Sequence, residues 1–175
     1  MIVVITGRIA TGKTTVASYL NKFGANLIDA DKLGHELLKR NDIKKKVIKL
    51  LGKDIIKGKS LDRKKIASKV FENRKVLLQY NNIIHISLIK KIKEKVKKRK
   101  INVVDAALFY ELELDKIADK VIVVKSRNVF KKDFLKRQKF IKKIKKYDFV
   151  VNNSKDKKHL RKQAREIWKK LNSQR

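Results

Sequence analysis

At 175 residues, with 49 Lys and Arg against 17 Asp and Glu, the chain suits one domain with a buried core and carries a formal charge of +32. It has no cysteine and three histidines, at 35, 85 and 159, which excludes disulfide and thiolate chemistry and argues against a zinc site. No apolar run reaches bilayer length and no signal peptide precedes the first apolar segment, so the expected location is the cytoplasm and no membrane partner is expected.

Ile2 to Ile5 form a short apolar run, the pattern of a strand buried on both faces. Gly7 to Thr14 then fit G-x-x-x-x-G-K-[ST], the phosphate-binding loop. Its glycines let main-chain N–H groups approach phosphate oxygens, and the helix starting near Gly12 points its positive end at the same anion. Lys13 supplies charge to the β- and γ-phosphates, and the Thr14 hydroxyl can ligate Mg²⁺. The expected ligand is therefore a nucleoside triphosphate with Mg²⁺. The nucleotide site is expected over Gly7, Arg8, Ile9, Ala10, Thr11, Gly12, Lys13, Thr14 and Thr15.

Gly24 marks a turn, and residues 25–29 read as a second strand. Asp31 is placed to cap the next helix, whose inner face carries Leu33, Leu37 and Leu38. A second helix closes at Gly52, residues 55–60 form a loop or short hairpin around Gly58, and Asp62 and Arg63 open another helix. From Val76 to Val96 the helical pattern is strong, with Ile84, Leu88, Ile89 and Ile92 on one face. Further strands are expected near 101–105, 120–124 and 148–152, and a last helix carries Leu160, Ala164, Ile167, Trp168 and Leu171 inward.

Strands alternating with helices predict an α/β fold: a five-stranded parallel sheet with helices on both faces. Residues 1–175 read as one domain, with a helical acceptor-binding insertion over about 32–98 and a basic helical segment over about 126–146. Ligands in such sheets bind beyond the carboxyl ends of the strands, which gathers the phosphate loop, Asp29, Asp31 and Asp105 at one edge. Asp105 ends an apolar strand, where a carboxylate holds Mg²⁺ directly or through water. Asp29 and Asp31 lie across from the loop, and one of them can take the proton of an attacking hydroxyl; Asp31 is the better placed. Arg63 and Arg74 are suited to bidentate phosphate contacts. His85 lies among apolar residues and reads as a core or turn residue more than a catalyst.

The lysines are scattered along the whole chain without aromatic residues between them to stack on bases, so they read as solvated helix faces and no specific nucleic acid partner is expected. The rival to a small-molecule kinase is a nucleic-acid-stimulated ATPase, which the charge alone suggests.

Taken together, these segments resemble the dephospho-CoA kinase family. Thr6 to Thr15 resemble its T-G-G-I-G-S-G-K-S-T, and Leu27 to Asp31 its V-I-D-A-D. Leu61-Asp62-Arg63 and Val70-Phe71 resemble L-D-R and V-F, His85 falls on H-P, Val104 to Glu111 on D-x-P-L-L-F-E, and Val150 to Asn153 on V-I-D-N. The resemblance implies a P-loop kinase fold and ATP-dependent phosphorylation of the ribose 3′-hydroxyl of dephospho-CoA, with another nucleoside or nucleotide kinase of this fold as the alternative. It implies Asp31 as base, Lys13 at the phosphates, and Asn153 near the adenine of ATP. Arg137 would close over the γ-phosphate. Asp29, Arg63, Arg74, His85, Asp105 and Glu111 would form the acceptor side, and Thr14 and Asp105 the metal side. Ile86 and Ala107 stand where the family has prolines, in a chain without any proline. Ala10 replaces a loop glycine, a change expected to be tolerated if φ stays negative. The segment from Val124 to Asp148 is shorter than the family's lid and retains Arg127, Arg137 and Gln138. A monomer is the favoured state.

Overall fold

A computed structural model describes residues 1–8, 10–126 and 144–174. Its centre is the parallel sheet the apolar runs require. The strands are β1 (Ile2–Thr6), β2 (Asn26–Asp29), β5 (Asn102–Asp105), β6 (Lys120–Lys125) and β7 (Phe149–Asn152), in the spatial order β2-β5-β1-β6-β7. All four pairings are parallel. The expected strands near 2–6, 25–29, 101–105, 120–124 and 148–152 match these within a residue at each end. The small hairpin is also present, as β3 (Ile56–Lys57) paired antiparallel with β4 (Ser60–Leu61).

Side chains alternate across the sheet, so each face has its own core. Val3 and Ile5 join Val103, Ile122, Val124 and Val151 under α1 (Lys13–Lys22) and α6 (Lys157–Ser173). Val4, Ile28 and Val104 face the other way, into a larger core formed with α2 (Ala30–Leu37), α3 (Asn41–Leu51), α4 (Arg63–Glu72) and α5 (Arg74–Lys95). These four helices and the hairpin fill the long connection between β2 and β5. Among the described residues no helix is long and apolar enough to cross a membrane. Of the lid expected over about 126–146, residues 127–143, Arg137 included, lie outside the described residues, as does Ile9.

The connection returns to the sheet through a buried amide. Asn102 is fully buried; its Oδ1 accepts from Asn26 Nδ2 and from the Lys97 N–H, both at 2.8 Å. Its Nδ2 donates to the carbonyls of Lys97 at 3.1 Å and Lys100 at 3.0 Å. The turn after α5 is thereby fastened to the first residue of β5. Asn102→Ala strands several buried partners at once, each costing about 1–3 kcal/mol when unpaired. We expect the melting temperature to fall by about 5–12 °C. Thermal denaturation checks this, and a fall below 2 °C would contradict the role.

Candidate active site

Strand register assembles the acidic side of the site. Ile5 is level with Asp105, and Asp105 is level with Asp29, so both carboxylates stand at the carboxyl ends of neighbouring strands, beside the loop that follows β1. The Thr14 hydroxyl, in the first turn of α1, donates to Asp105 Oδ2 at 2.8 Å. Asp105 is buried, and burial raises its pKa above the ordinary carboxylate value; Thr14 and Lys13 oppose that shift and Asp29 adds to it.

The phosphate loop turns about one main-chain atom. The Arg8 carbonyl accepts from the Thr11 hydroxyl at 2.9 Å, from Lys13 Nζ at 2.9 Å and, at 3.4 Å, from the Thr11 N–H. Lys13 is buried, which lowers its pKa, while Asp105 and Asp31 pull the other way. Two glycines are sterically required. A Cβ on Gly7 (φ +147°) would stand 2.4 Å from the Val124 carbonyl oxygen, and one on Gly12 (φ +94°) 2.5 Å from Asn153 Nδ2. Asn153 donates that nitrogen to the Thr11 carbonyl at 3.0 Å and its own N–H to Lys125 at 2.7 Å, so β7 braces the loop from behind.

Ala10 corrects one expectation. Its φ is +62°, not negative, because the chain reverses between strand and helix within a few residues and needs a left-handed residue there. That conformation costs a non-glycine residue about 1–2 kcal/mol, partly offset by the smaller backbone entropy alanine loses on folding. Ala10→Gly should therefore raise the melting temperature by about 2–4 °C, read by calorimetry. An unchanged or lower value would show that the loop holds Ala10 without strain.

The helix cap corrects another. Asp29, not Asp31, caps α2: it sits in extended backbone and its Oδ1 accepts from the Lys32 N–H at 2.8 Å. The helix begins at Ala30, directly off the strand, so the cap falls on the strand's last residue. Asp31 is left in the first turn with no capping duty. Asp31 is exposed as a residue, yet the protein around its carboxyl partly desolvates that group and raises its pKa; Asp105 and Asp29 add to the rise, and Lys13 opposes it.

Asp31 also stands in the wall of a cavity of about 250 Å³ between α2, α4 and α5, whose apolar lining includes Ile66, Val70, Phe71 and Tyr80. Arg63 and His35 stand in the same wall, with Arg63 Nη1 3.1 Å from His35 Nδ1. Partial desolvation and the neighbouring guanidinium lower the His35 pKa; a guanidinium only donates, so Nδ1 is the acceptor in this contact.

Thr14 and Asp105 suit Mg²⁺. They are hard oxygen donors already in contact, and no cluster of three or more His, Asp or Glu that could hold a metal exists among the described residues. A cation that takes most of its ligands from water and substrate phosphates needs no more than this from the protein.

The family profile for dephospho-CoA kinase matches residues 1–137. The chain belongs to the dephospho-CoA kinase family. It is 36% identical to the dephospho-CoA kinase of Fusobacterium nucleatum, over 88% of this chain and 90% of that protein. In fold it is similar to the crystal structure of TT1252 from Thermus thermophilus (TM-score 0.80, 20% identity, 98% and 97% of the two chains). It is also similar to dephospho-CoA kinase from Campylobacter jejuni (TM-score 0.69, 23% identity, 97% and 96%).

In this family member the structure brings Lys13, Thr14, Asp29, Asp31 and Asp105 together and sets Arg63 at the cavity wall. Two expected acceptor residues, Arg74 and His85, stand apart from the cavity. Arg74 is exposed at the start of α5 and does not line the cavity. His85 also does not line it; its Nε2 lies 3.6 Å from Glu113 Oε2. Glu111 is half-buried in the turn after β5, Thr15 half-buried in α1, and Arg8 contributes its carbonyl. Asn153 stands at the loop, with its side-chain amide donated to the Thr11 carbonyl. Sequence reasoning missed His35 and Asn81, the latter only 3% exposed in the cavity wall. For Asn81 a signal existed: it is a polar residue at helical spacing within the buried stripe Leu77, Ile84, Leu88 and Ile92.

Proposed function

We propose that this protein transfers the γ-phosphoryl group of ATP to the ribose 3′-hydroxyl of dephospho-CoA, giving coenzyme A and ADP, and that it does so in the cytoplasm with Mg²⁺. Family membership supports the reaction. The observation that carries the residue roles is Asp31, which is coupled electrostatically to Lys13 on one side and lines the cavity on the other.

Phosphoryl transfer asks the protein mainly for positioning and charge. Main-chain N–H groups from Ala10 to Thr14 hold the β-phosphate, and Lys13 leaves the Arg8 carbonyl to meet the β- and γ-oxygens. The Asp31 carboxylate accepts the proton of the 3′-hydroxyl as its oxygen attacks phosphorus in line. Arg63 holds acceptor phosphate, and Asn153 keeps the loop in shape. Thr14 and Asp105 would hold Mg²⁺, which neutralises phosphate charge when bound.

The deciding experiment incubates the protein with ATP and dephospho-CoA and separates the products. Stoichiometric ADP and coenzyme A are expected. Faster turnover with a nucleoside or nucleoside monophosphate, or ATP hydrolysis that only RNA or DNA stimulates, would replace this reading.

A further inference from the structure

The apolar cavity touches a second one, of about 450 Å³, with a different character. Lys32, Lys39, Lys44 and Lys59 line it, with Glu36 as its acidic member. The two cavities share His35, Leu38 and Arg63. One is a slot walled by Phe71, Tyr80 and aliphatic side chains, and the other is a basic trough; the His35–Arg63 contact marks their boundary.

Within the slot, Asn81 is out of keeping with its surroundings. It is buried on the apolar stripe of α5, and its Nδ2 has no hydrogen-bond partner among the described residues. A buried amide without a partner is a standing penalty that a bound acceptor atom would remove. Burial pushes the Tyr80 phenol up to about 12, so that wall stays uncharged.

The acceptor has matching parts. Its base and its 3′-hydroxyl sit on one furanose, while its diphosphate and pantetheine arm leave from the 5′ carbon. Asp31 stands in the slot's wall and not in the trough's. If the pantetheine arm filled the slot, the diphosphate would hold the 3′-hydroxyl away from Asp31. Resting on the reading of the acceptor as dephospho-CoA, we propose that its adenine occupies the apolar slot with Asn81 hydrogen-bonded to the ring. The 5′-diphosphate then crosses His35 and Arg63 into the lysine-lined trough. Asn81 is thereby assigned to recognition of the acceptor's base, and the trough to its phosphates.

The test is steady-state kinetics on the full chain and on Asn81→Leu and Asn81→Asp, with phosphopantetheine (the acceptor without its AMP half, keeping one phosphate) as inhibitor against dephospho-CoA. Both variants should raise the KM for dephospho-CoA at least tenfold and that for ATP less than twofold. The inhibition constant of phosphopantetheine should move less than twofold, and Asn81→Leu should melt no lower than the parent, since it removes an unpaired amide. Lys59→Glu should do the reverse, weakening phosphopantetheine at least fivefold. A KM shift below twofold overturns the proposal. So does a parallel loss of phosphopantetheine binding, which would put the pantetheine arm in the slot. Failure of both Asn81 variants to fold also overturns it, because Asn81 is then a packing residue. If the parent chain neither binds nor phosphorylates dephospho-CoA, the functional reading falls on that measurement alone, before any variant is compared.

Discussion

Replacing Lys13 by methionine is expected to lower kcat/KM by ~10³-fold or more, with the melting temperature within about 2 °C of the parent. The two halves of this expectation have separate causes. In transfer, Lys13 is the loop's charged group at the phosphates, and a neutral stem of similar length cannot meet the charge that develops there. In the unliganded fold, its ammonium donates to an Arg8 carbonyl that Thr11 also serves. Burial already disfavours its charged form, so an apolar stem is readily accommodated in its place. Stopped assays with ATP and dephospho-CoA beside a thermal melt measure both. A loss under tenfold removes the loop lysine from the chemistry; a large fall in melting temperature makes it a structural residue.

Asp31→Asn should lower kcat by ~10²- to 10⁴-fold, the range for loss of a positioned general base. It should also stabilise the protein at neutral pH. Desolvation and the charges of Asp105 and Asp29 raise the Asp31 pKa in the folded state, so the folded protein binds the proton more tightly than the unfolded chain does. The stability this provides is fully present below the unfolded carboxyl value and is lost as pH rises through the higher folded value. At pH 7 the ionised group is therefore unfavourable to folding. Asparagine removes that charge, and its stability advantage should shrink as pH is lowered. The same shift sets the acid limb of the parent's rate profile: activity falls as Asp31 protonates, at a pH above the ordinary carboxylate range. Asp31→Asn with near-parental turnover would exclude Asp31 as base, and Asp29→Asn would then be the variant to measure.

The sheet was legible because its strands are covered on both faces, which makes their middles apolar runs such as Val3-Val4 and Val103-Val104. Lys13 and Thr14 were legible because their roles depend on residue type at fixed spacing. What escaped depends on backbone placement or on distant pairing. Asp29 and Asp31 are the same residue type two positions apart, and a helix starting at Ala30 decides which of them caps. The conformation of Ala10 is set by the turn around it rather than by alanine's own preference. The contacts of Asn153 with Thr11 and Gly12 join opposite ends of the chain. Arg8 acts through its carbonyl, which no side-chain pattern reports. Of the expected acceptor residues, Arg63 reached the cavity because Asp62 caps α4, accepting from the Lys64 and Lys65 N–H groups, and so fixes where that helix begins.

The strand order carries a consequence for biosynthesis. β5 lies between β1 and β2, yet the ribosome delivers it after the whole helical excursion. At 5–20 residues per second, the two earlier strands wait on the order of several seconds for the strand that joins them. Throughout that interval a nascent chain exposes unpaired strand edges. The lysines spread over α3 to α5 make that emerging segment strongly cationic, and mutual repulsion between copies would discourage edge-to-edge association before the sheet can close.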